Sequence, residues 1–388
     1  MAVTTIGVGD AKAVKRYSAE LAIDVRKESY FSRKFMGEGQ KSMACITVLN
    51  ELNSDKGEMI SYDLALRKRM KPVQGDTVLR GKEEDRKFAT ASIYIDQLRG
   101  GSNLGGRASR KRTIHELRDS EKPLQAQWWA SLFDEAIMLY LSGGGRDTVL
   151  DTTAAGAAIF SNTDYIEETG FVGYAGNTFE APSAYRQLYA NNATSIASLD
   201  SSDIMGLELI ARANARAKSG FADANKNPIP ALQPIKVDGE DHYVCVMSPF
   251  QAHSLRTASG SEWLSIQKAA AAAEGRNNPI FKGGLGMYDN VVLHEHSSVV
   301  TRSNAGSGAN LPGARALFLG RQAGVVAFGS PGNGLRFSWQ EETEDRDNQI
   351  VITSNSILGI DKCTFAVGGT NYDFGVIALD TYAIDPNA

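Results

Sequence analysis

Nowhere in this 388-residue chain does an apolar run approach the ~20 residues that a bilayer-spanning helix needs. Met1 to Asp10 lack a basic segment followed by an apolar stretch, so no secretory signal is expected. Cysteine is scarce. Cys45, Cys245 and Cys363 are odd in number, far apart and without CxxC spacing. They read as reduced, mostly buried thiols, which excludes a disulfide framework and a thiolate zinc site. Catalytic signatures are missing too. Gly101 to Arg107 has the glycine spacing of a phosphate loop, but Arg107-Ala108 stands where Lys followed by Ser or Thr is required. Gly283-Gly284-Leu285-Gly286 fails the dinucleotide pattern, and no GxSxG turn is present to carry a nucleophilic serine. Nothing assembles an acid, a base and an oxyanion site, so the chain is expected not to be an enzyme and to need no cofactor.

What is present is an ordinary globular composition, 42% hydrophobic and 22% charged. The length suggests two domains, or one domain with long excursions. The net charge of −4 hides an asymmetry. Residues 1–120 carry 23 Lys and Arg against 16 Asp and Glu, whereas the remainder carries 18 against 29. Either both halves are merely solvated surfaces, or copies of the chain attract one another head to tail.

Along Lys12–Met36, apolar Val14, Tyr17, Leu21 and Val25 fall at helical spacing among many charges, which predicts a solvent-exposed amphipathic helix. Ala44–Leu52 reads as a strand. Glu58–Leu66 and Phe88–Leu98 read as two long strands around a basic, glycine-punctuated segment, Arg67–Gly81. At ~3.3 Å per residue, such a hairpin projects roughly 33 Å. An isolated hairpin is marginal in water, so this arm is expected to need another surface, such as a neighbouring copy. A Gly/Arg-rich crossing, Arg99–Arg112, leads to a long helix from Ser120, apolar on several faces and stopped by Gly143–Gly145. Arg146–Leu199 is weakly periodic. A helix follows, with Ser201 or Ser202 as cap, Ile204, Leu207 and Ala211 inward, and Gly220 at its end. Ile235–Met247 reads as a hairpin turning at Asp238-Gly239, and Ser248-Pro249 opens the first of two further helices. The remainder reads as strands of a largely antiparallel sheet, and the whole as α+β.

Candidate sites are few. His294 and His296 could share a zinc ion from one strand, with His242 or His253 as a third ligand; the ordinary alternative is two histidines at a strand end. Arg107, Arg110, Lys111 and Arg112 could meet nucleic-acid phosphates, but a solvated loop or a subunit contact fits better without interleaved aromatics. The basic loop Arg67, Lys68, Arg69 and Lys71 is crowded with like charge. Glu341, Glu342, Glu344 and Asp345 are crowded in the opposite sense and read as one acidic turn, the first candidate to receive a neighbour's loop.

The order of elements resembles the Hong Kong 97-type capsid fold: N-terminal arm, extended β-hairpin loop, peripheral domain with a long spine helix, and axial domain. The wording resembles the podovirus major capsid protein family that includes coliphage N-four. It does so through Val25-Arg26-Lys27-Glu28-Ser29-Tyr30-Phe31, Tyr94-Ile95-Asp96-Gln97-Leu98-Arg99 and Arg112-Thr113-Ile114-His115-Glu116-Leu117-Arg118. Gly75-Asp76 with Gly81-Lys82-Glu83-Glu84, Asn278-Pro279-Ile280-Phe281 with Gly284-Leu285-Gly286, and Tyr372-Asp373-Phe374-Gly375 add to it. The resemblance implies an arm and first strand over 1–54, the extended loop over 55–100 and the peripheral domain over 101–199. It places the axial domain over 200–310 and strands returning to the peripheral domain over 311–388. It implies a tailed-phage major capsid protein whose hexamers and pentamers close into an icosahedral shell around double-stranded DNA, assembled in the host cytoplasm. Separate scaffolding, portal and decoration proteins and non-specific contact with packaged DNA are the implied partners. Lys68 and Lys71 lie in the loop that some relatives cross-link, but no partner Asn can be assigned, so no cross-link is expected. An encapsulin-like cellular shell of the same fold, or a metal-dependent enzyme using His294 and His296, are the alternatives.

Overall fold

Twenty-six residues, Leu117–Ser142, form the spine helix on which the fold is organised. From Trp129 to Ser142 every residue except half-buried Ser131 is buried, Asp134 and Glu135 included, because apolar side chains occur on every face of the segment. The helix ends where Gly143 (φ +74°) and Gly144 (φ +68°) turn left-handed. A Cβ on Gly143 would lie 2.2 Å from the Glu180 carbonyl oxygen, so this stop requires glycine. The computed structural model describes residues 11–39, 42–50, 57–65, 71–83, 88–112, 117–144, 173–222, 228–237, 239–260, 262–274, 279–282, 284–330, 335–346, 348–367 and 370–386.

Instead of the one largely antiparallel sheet expected, two large mixed sheets are present. The six-stranded sheet runs Met36–Glu38, Ile46–Leu49, Gly324–Gly329, Gln349–Lys362 and Phe337–Glu344, with Asp96–Gly106 also paired to Gln349–Lys362. The eight-stranded sheet runs Gly286–Tyr288, Val291–Glu295, Glu240–Met247, Leu311–Leu319, Val376–Tyr382 and Gln187–Tyr189; Thr301–Ala305 and Ile235–Val237 pair at its sides. Ile46–Leu49 is parallel to Gly324–Gly329, and Glu240–Met247 is parallel to Val291–Glu295. The expected boundary at residue 310 does not follow these layers. Leu311–Leu319 and Val376–Tyr382 belong to the eight-stranded sheet; between them Gly324–Gly329, Phe337–Glu344 and Gln349–Lys362 belong to the six-stranded one, and Thr364–Val367 pairs with Thr370–Asp373 as a separate hairpin.

The spine, the arm, the six-stranded sheet and one face of the eight-stranded sheet, through Val244, Val246 and Leu317, share one apolar core; helices Leu207–Lys218 and Pro249–Ser259 pack on the other face of the eight-stranded sheet around a second. Arg315 ties the two together. Its Nε and Nη2 donate to Asp380 at 2.8 and 3.0 Å, and its Nη1 donates to the Ser142 carbonyl at the spine's C-terminus at 2.8 Å. A forked cation there satisfies a carboxylate and an orphan helix carbonyl together.

Three local expectations need correction. The arm is two helices, Ala11–Glu28 and Tyr30–Lys34, broken at Ser29, and it is not merely a solvated helix: Leu21 and Val25 are core. The Gly/Arg-rich crossing is a strand, Asp96–Gly106, followed by a short helix, Arg107–Arg112. Its glycines make room, since a Cβ on Gly100 would stand 2.5 Å from the Trp128 ring. The helix expected after Ser201 begins at Leu207 with Gly206 as its cap, and ends at Lys218; it buries Leu209, Ile210, Ala213 and Ala217. Ser202 instead bonds Asp200 in the preceding turn.

Candidate functional site

The hairpin forms in register from Met59↔Tyr94 to Ala65↔Phe88. Alternation buries Ile60, Tyr62 and Ile93 against Leu49, Val325, Phe365 and Phe374, so the base of the arm does rest on its own chain. Arg67, Lys68 and Arg69 lie outside the described residues. Lys71 is described, and all of 71–83 is exposed apart from half-buried Val73. The segment holds its shape by local bonds. Thr77 Oγ1 donates to the Gln74 carbonyl at 2.9 Å, and the Lys82 N–H donates to the Leu79 carbonyl at 2.9 Å. Val78 and Leu79 stand out from it, 69% and 48% exposed.

The acidic residues are not one turn. Glu341, Glu342 and Glu344 lie on the strand Phe337–Glu344, and only Asp345 is in the turn, at φ +49°. Pleating sends Glu341 inward, where its Oε1 accepts from Trp339 Nε1 at 2.9 Å; Glu342, Glu344 and Asp345 are exposed. The same chain brings basic groups beside this turn. Arg110 donates to the Asn348 carbonyl at 3.1 Å, and Asn348 donates to Asp345 at 3.1 Å.

His294 and His296 both pack against the Tyr30 ring, at 6.0 and 4.5 Å. His294 is buried on its strand and its Nε2 lies 2.8 Å from the Ile280 carbonyl, with Phe35 edge-on at 5.2 Å. His296 follows the strand, and its Nδ1 accepts the Ser298 N–H at 3.1 Å. Burial, with Lys34 nearby, pushes both imidazoles down to about 4. His253 is exposed on a helix, and His242 is buried beside Phe281. Among the described residues, no group of three or more His, Cys, Asp or Glu could hold a metal ion. All three cysteines are buried and free, and burial pushes each thiol up to about 12.

Sequence reasoning missed the interior charges. Asp134 on the spine caps the arm's second helix: it accepts from Ser29 Oγ at 2.8 Å, the Tyr30 N–H at 2.7 Å and the Phe31 N–H at 3.1 Å. Burial raises its carboxyl to about 6 against the pull of these donors. Lys362 meets Asp373 at 2.7 Å with both side chains buried. The signal was a lone charge inside an apolar run, as in Ala314-Arg315-Ala316 and Leu379-Asp380-Thr381.

A spine helix under one sheet, a second sheet and its helices beside it, an arm, and a hairpin reaching outward define the Hong Kong 97-type shell fold. The chain belongs to the phage capsid protein family, whose match spans residues 5–384. It is 27% identical over 370 residues, 90% of each chain, to the major capsid protein of Pseudomonas phage KPP25. The capsid of Ralstonia phage GP4 matches at 48% identity with a TM-score of 0.82, covering 100% of both chains. The cyanophage Pam1 capsid shares the fold at 18% identity, with a TM-score of 0.63 over 92% of this chain and 93% of that one. As a phage major capsid protein, the chain forms the capsid shell from many copies of itself.

Proposed function

We propose that the shell is icosahedral, encloses the double-stranded DNA genome, and is locked by the extended loop of each copy lying on its neighbour. The exposed segment 71–83 carries this reading: it has almost no cover in its own chain. The spine helix, arm and six-stranded sheet would form the peripheral domain, and the eight-stranded sheet with its helices the axial domain. The role is structural and not catalytic. Separate scaffolding, portal and decoration proteins would take part, assembly would take place in the host cytoplasm, and contact with packaged DNA would be non-specific. The basic stretch Arg67, Lys68, Arg69 and Lys71 would meet exposed Glu342, Glu344 and Asp345 of the neighbour, Glu341 being withdrawn by burial. Replacing Arg67–Arg80 with an Asn-Gly turn tests the loop. The subunit should stay folded by circular dichroism, since its cores lie elsewhere, and negative-stain microscopy should show no shells. Normal shells from the shortened chain would refute the reading.

A further inference from the structure

The hairpin leaves the body of the subunit through a narrow joint. Strand Phe88–Tyr94 ends the hairpin, and Asp96–Gly106 enters the six-stranded sheet at the pair Asp96↔Leu358. Ile95 alone separates them, and its N–H still bonds the hairpin, donating to the Glu58 carbonyl at 2.9 Å. Alternation then turns the Tyr94 N–H and C=O away from the hairpin partner. One side chain takes up both. Asn177 Oδ1 accepts the Tyr94 N–H at 2.9 Å, and Asn177 Nδ2 donates to the Tyr94 carbonyl at 2.8 Å. A primary amide used this way imitates a strand partner one residue long. The carbonyl also lies tight against the sheet, since a Cβ on Gly359 would collide with it.

Asn177 is itself fixed to the spine. Tyr140, buried near the spine's C-terminus, accepts the Tyr174 N–H at 2.6 Å and donates to the Asn177 carbonyl at 3.1 Å. The Asn177 N–H donates to the Tyr174 carbonyl at 2.9 Å, closing a turn that holds Ala175 at φ +59° and Gly176 at φ +79°. A non-glycine residue is uncommon in that region, so local preference alone does not make this turn; the bonds at its ends hold it. A Cβ on Gly173 would collide with the Asn177 carbonyl oxygen, so the turn closes on itself only with glycine there.

We propose that Asn177 is a positioning residue for assembly: it clamps the joint at Tyr94 to the spine and so sets, within one subunit, the direction in which the hairpin projects. The inference rests on the shell reading but concerns the free chain and no surface of a neighbour. Ile60, Tyr62 and Ile93 hold the hairpin's base by apolar contact, which is non-directional and lets a hairpin rock. Paired hydrogen bonds to one planar amide are directional. A joint ordered in advance spares each association step the cost of ordering it.

The test uses Asn177→Asp, a near-isosteric change that keeps the acceptor, loses the donor and opens no cavity. Nitroxides on Ser61→Cys in the hairpin and Gln127→Cys on the spine, both exposed, report the angle in unassembled subunits; the native thiols are buried and should stay unlabelled. The distance distribution should be narrow with Asn177 in place and clearly broader after Asn177→Asp. Tyr140→Phe, which severs the spine end of the link, should broaden it likewise. Widths unchanged by both substitutions overturn the proposal. At matched concentrations of folded subunit, the assembly rate of Asn177→Asp should fall roughly tenfold, as expected when the competent pose is populated about a tenth of the time. A rate equal to that of the wild type overturns it as well. If neither variant folds, the wild type carries the test. Its Tyr94 amide, which faces away from the hairpin partner, should be protected from hydrogen exchange like that of Ile93, which faces it. A Tyr94 amide that exchanges freely overturns the clamp. Wild-type chains that form no shells would sink the shell reading and leave the distance measurement standing.

Discussion

Asp134 shows how much one side chain can organise. Its two oxygens receive a hydroxyl and two backbone N–H groups from the arm, so the spine fixes where the arm bends. Hydrogen bonds to a charged group contribute ~1.5–3 kcal/mol each, and the buried donors would be left unsatisfied without it. Asp134→Ala should therefore destabilise the unassembled subunit by roughly 3 kcal/mol, read as a lower urea midpoint. An unchanged midpoint would mean the cap is ornamental. The histidines give a pH prediction. Both are held near 4, below the ordinary 6.5, so between those values the unfolded chain binds more protons than the folded one. Their contribution is present above pH 6.5 and is lost as pH falls through about 4. Asp134 and Asp361, raised by burial to about 6 and about 7, act in the opposite direction, so the total profile masks the effect. The comparison isolates it: the stability of wild type relative to His294→Gln/His296→Gln should fall as pH drops from 6.5 to 4. A constant difference would contradict the buried neutral state.

At the scale of elements, periodicity exposed what was amphipathic and concealed what was buried. The hairpin was legible because Ile60, Tyr62 and Ile93 alternate with exposed neighbours. The turn at Gly239 (φ +86°) and the Ser248–Gln251 capping box before Pro249 were legible from local chemistry. The Asp96–Gly106 strand was hidden because its glycines answer a long-range demand, the Trp128 ring, that no local pattern reports. The break at Ser29 was hidden likewise, since its partner lies 105 residues away. Of the candidate site, Lys71 falls on an exposed segment and Arg67, Lys68 and Arg69 lie outside the described residues, while the acidic cluster was misread, because strand alternation splits Glu341 from Glu342 and Glu344. The charge pairing can be checked by reversal. Changing Arg67, Lys68, Arg69 and Lys71 to Glu should block assembly, and adding Glu342→Lys, Glu344→Lys and Asp345→Lys should partly restore it. Folded chains without rescue would put the loop's acidic partner elsewhere.

For the whole molecule, the split between a basic front and an acidic remainder is a long-range field as well as a set of contacts. Each exposed pair is worth only ~0.2–1 kcal/mol, so no single bridge decides assembly. Orientation before contact is another matter, because that field is shared by every copy. Assembly rate, followed by light scattering, should fall as salt rises to physiological strength, where the screening length is ~8 Å. A rate indifferent to salt would leave apolar docking as the whole driving force.

The sheet order also bears on when a chain becomes usable. Ile46–Leu49 is paired in parallel with Gly324–Gly329, and Val376–Tyr382 sits between Leu311–Leu319 and Gln187–Tyr189. Both cores therefore wait for residues made late in translation, and neither can close around a nascent fragment. A ribosome that stops early releases a product without a finished building surface. A chain that stops before Val376 lacks the strand that joins Leu311–Leu319 to Gln187–Tyr189, and its second core stays open on that side.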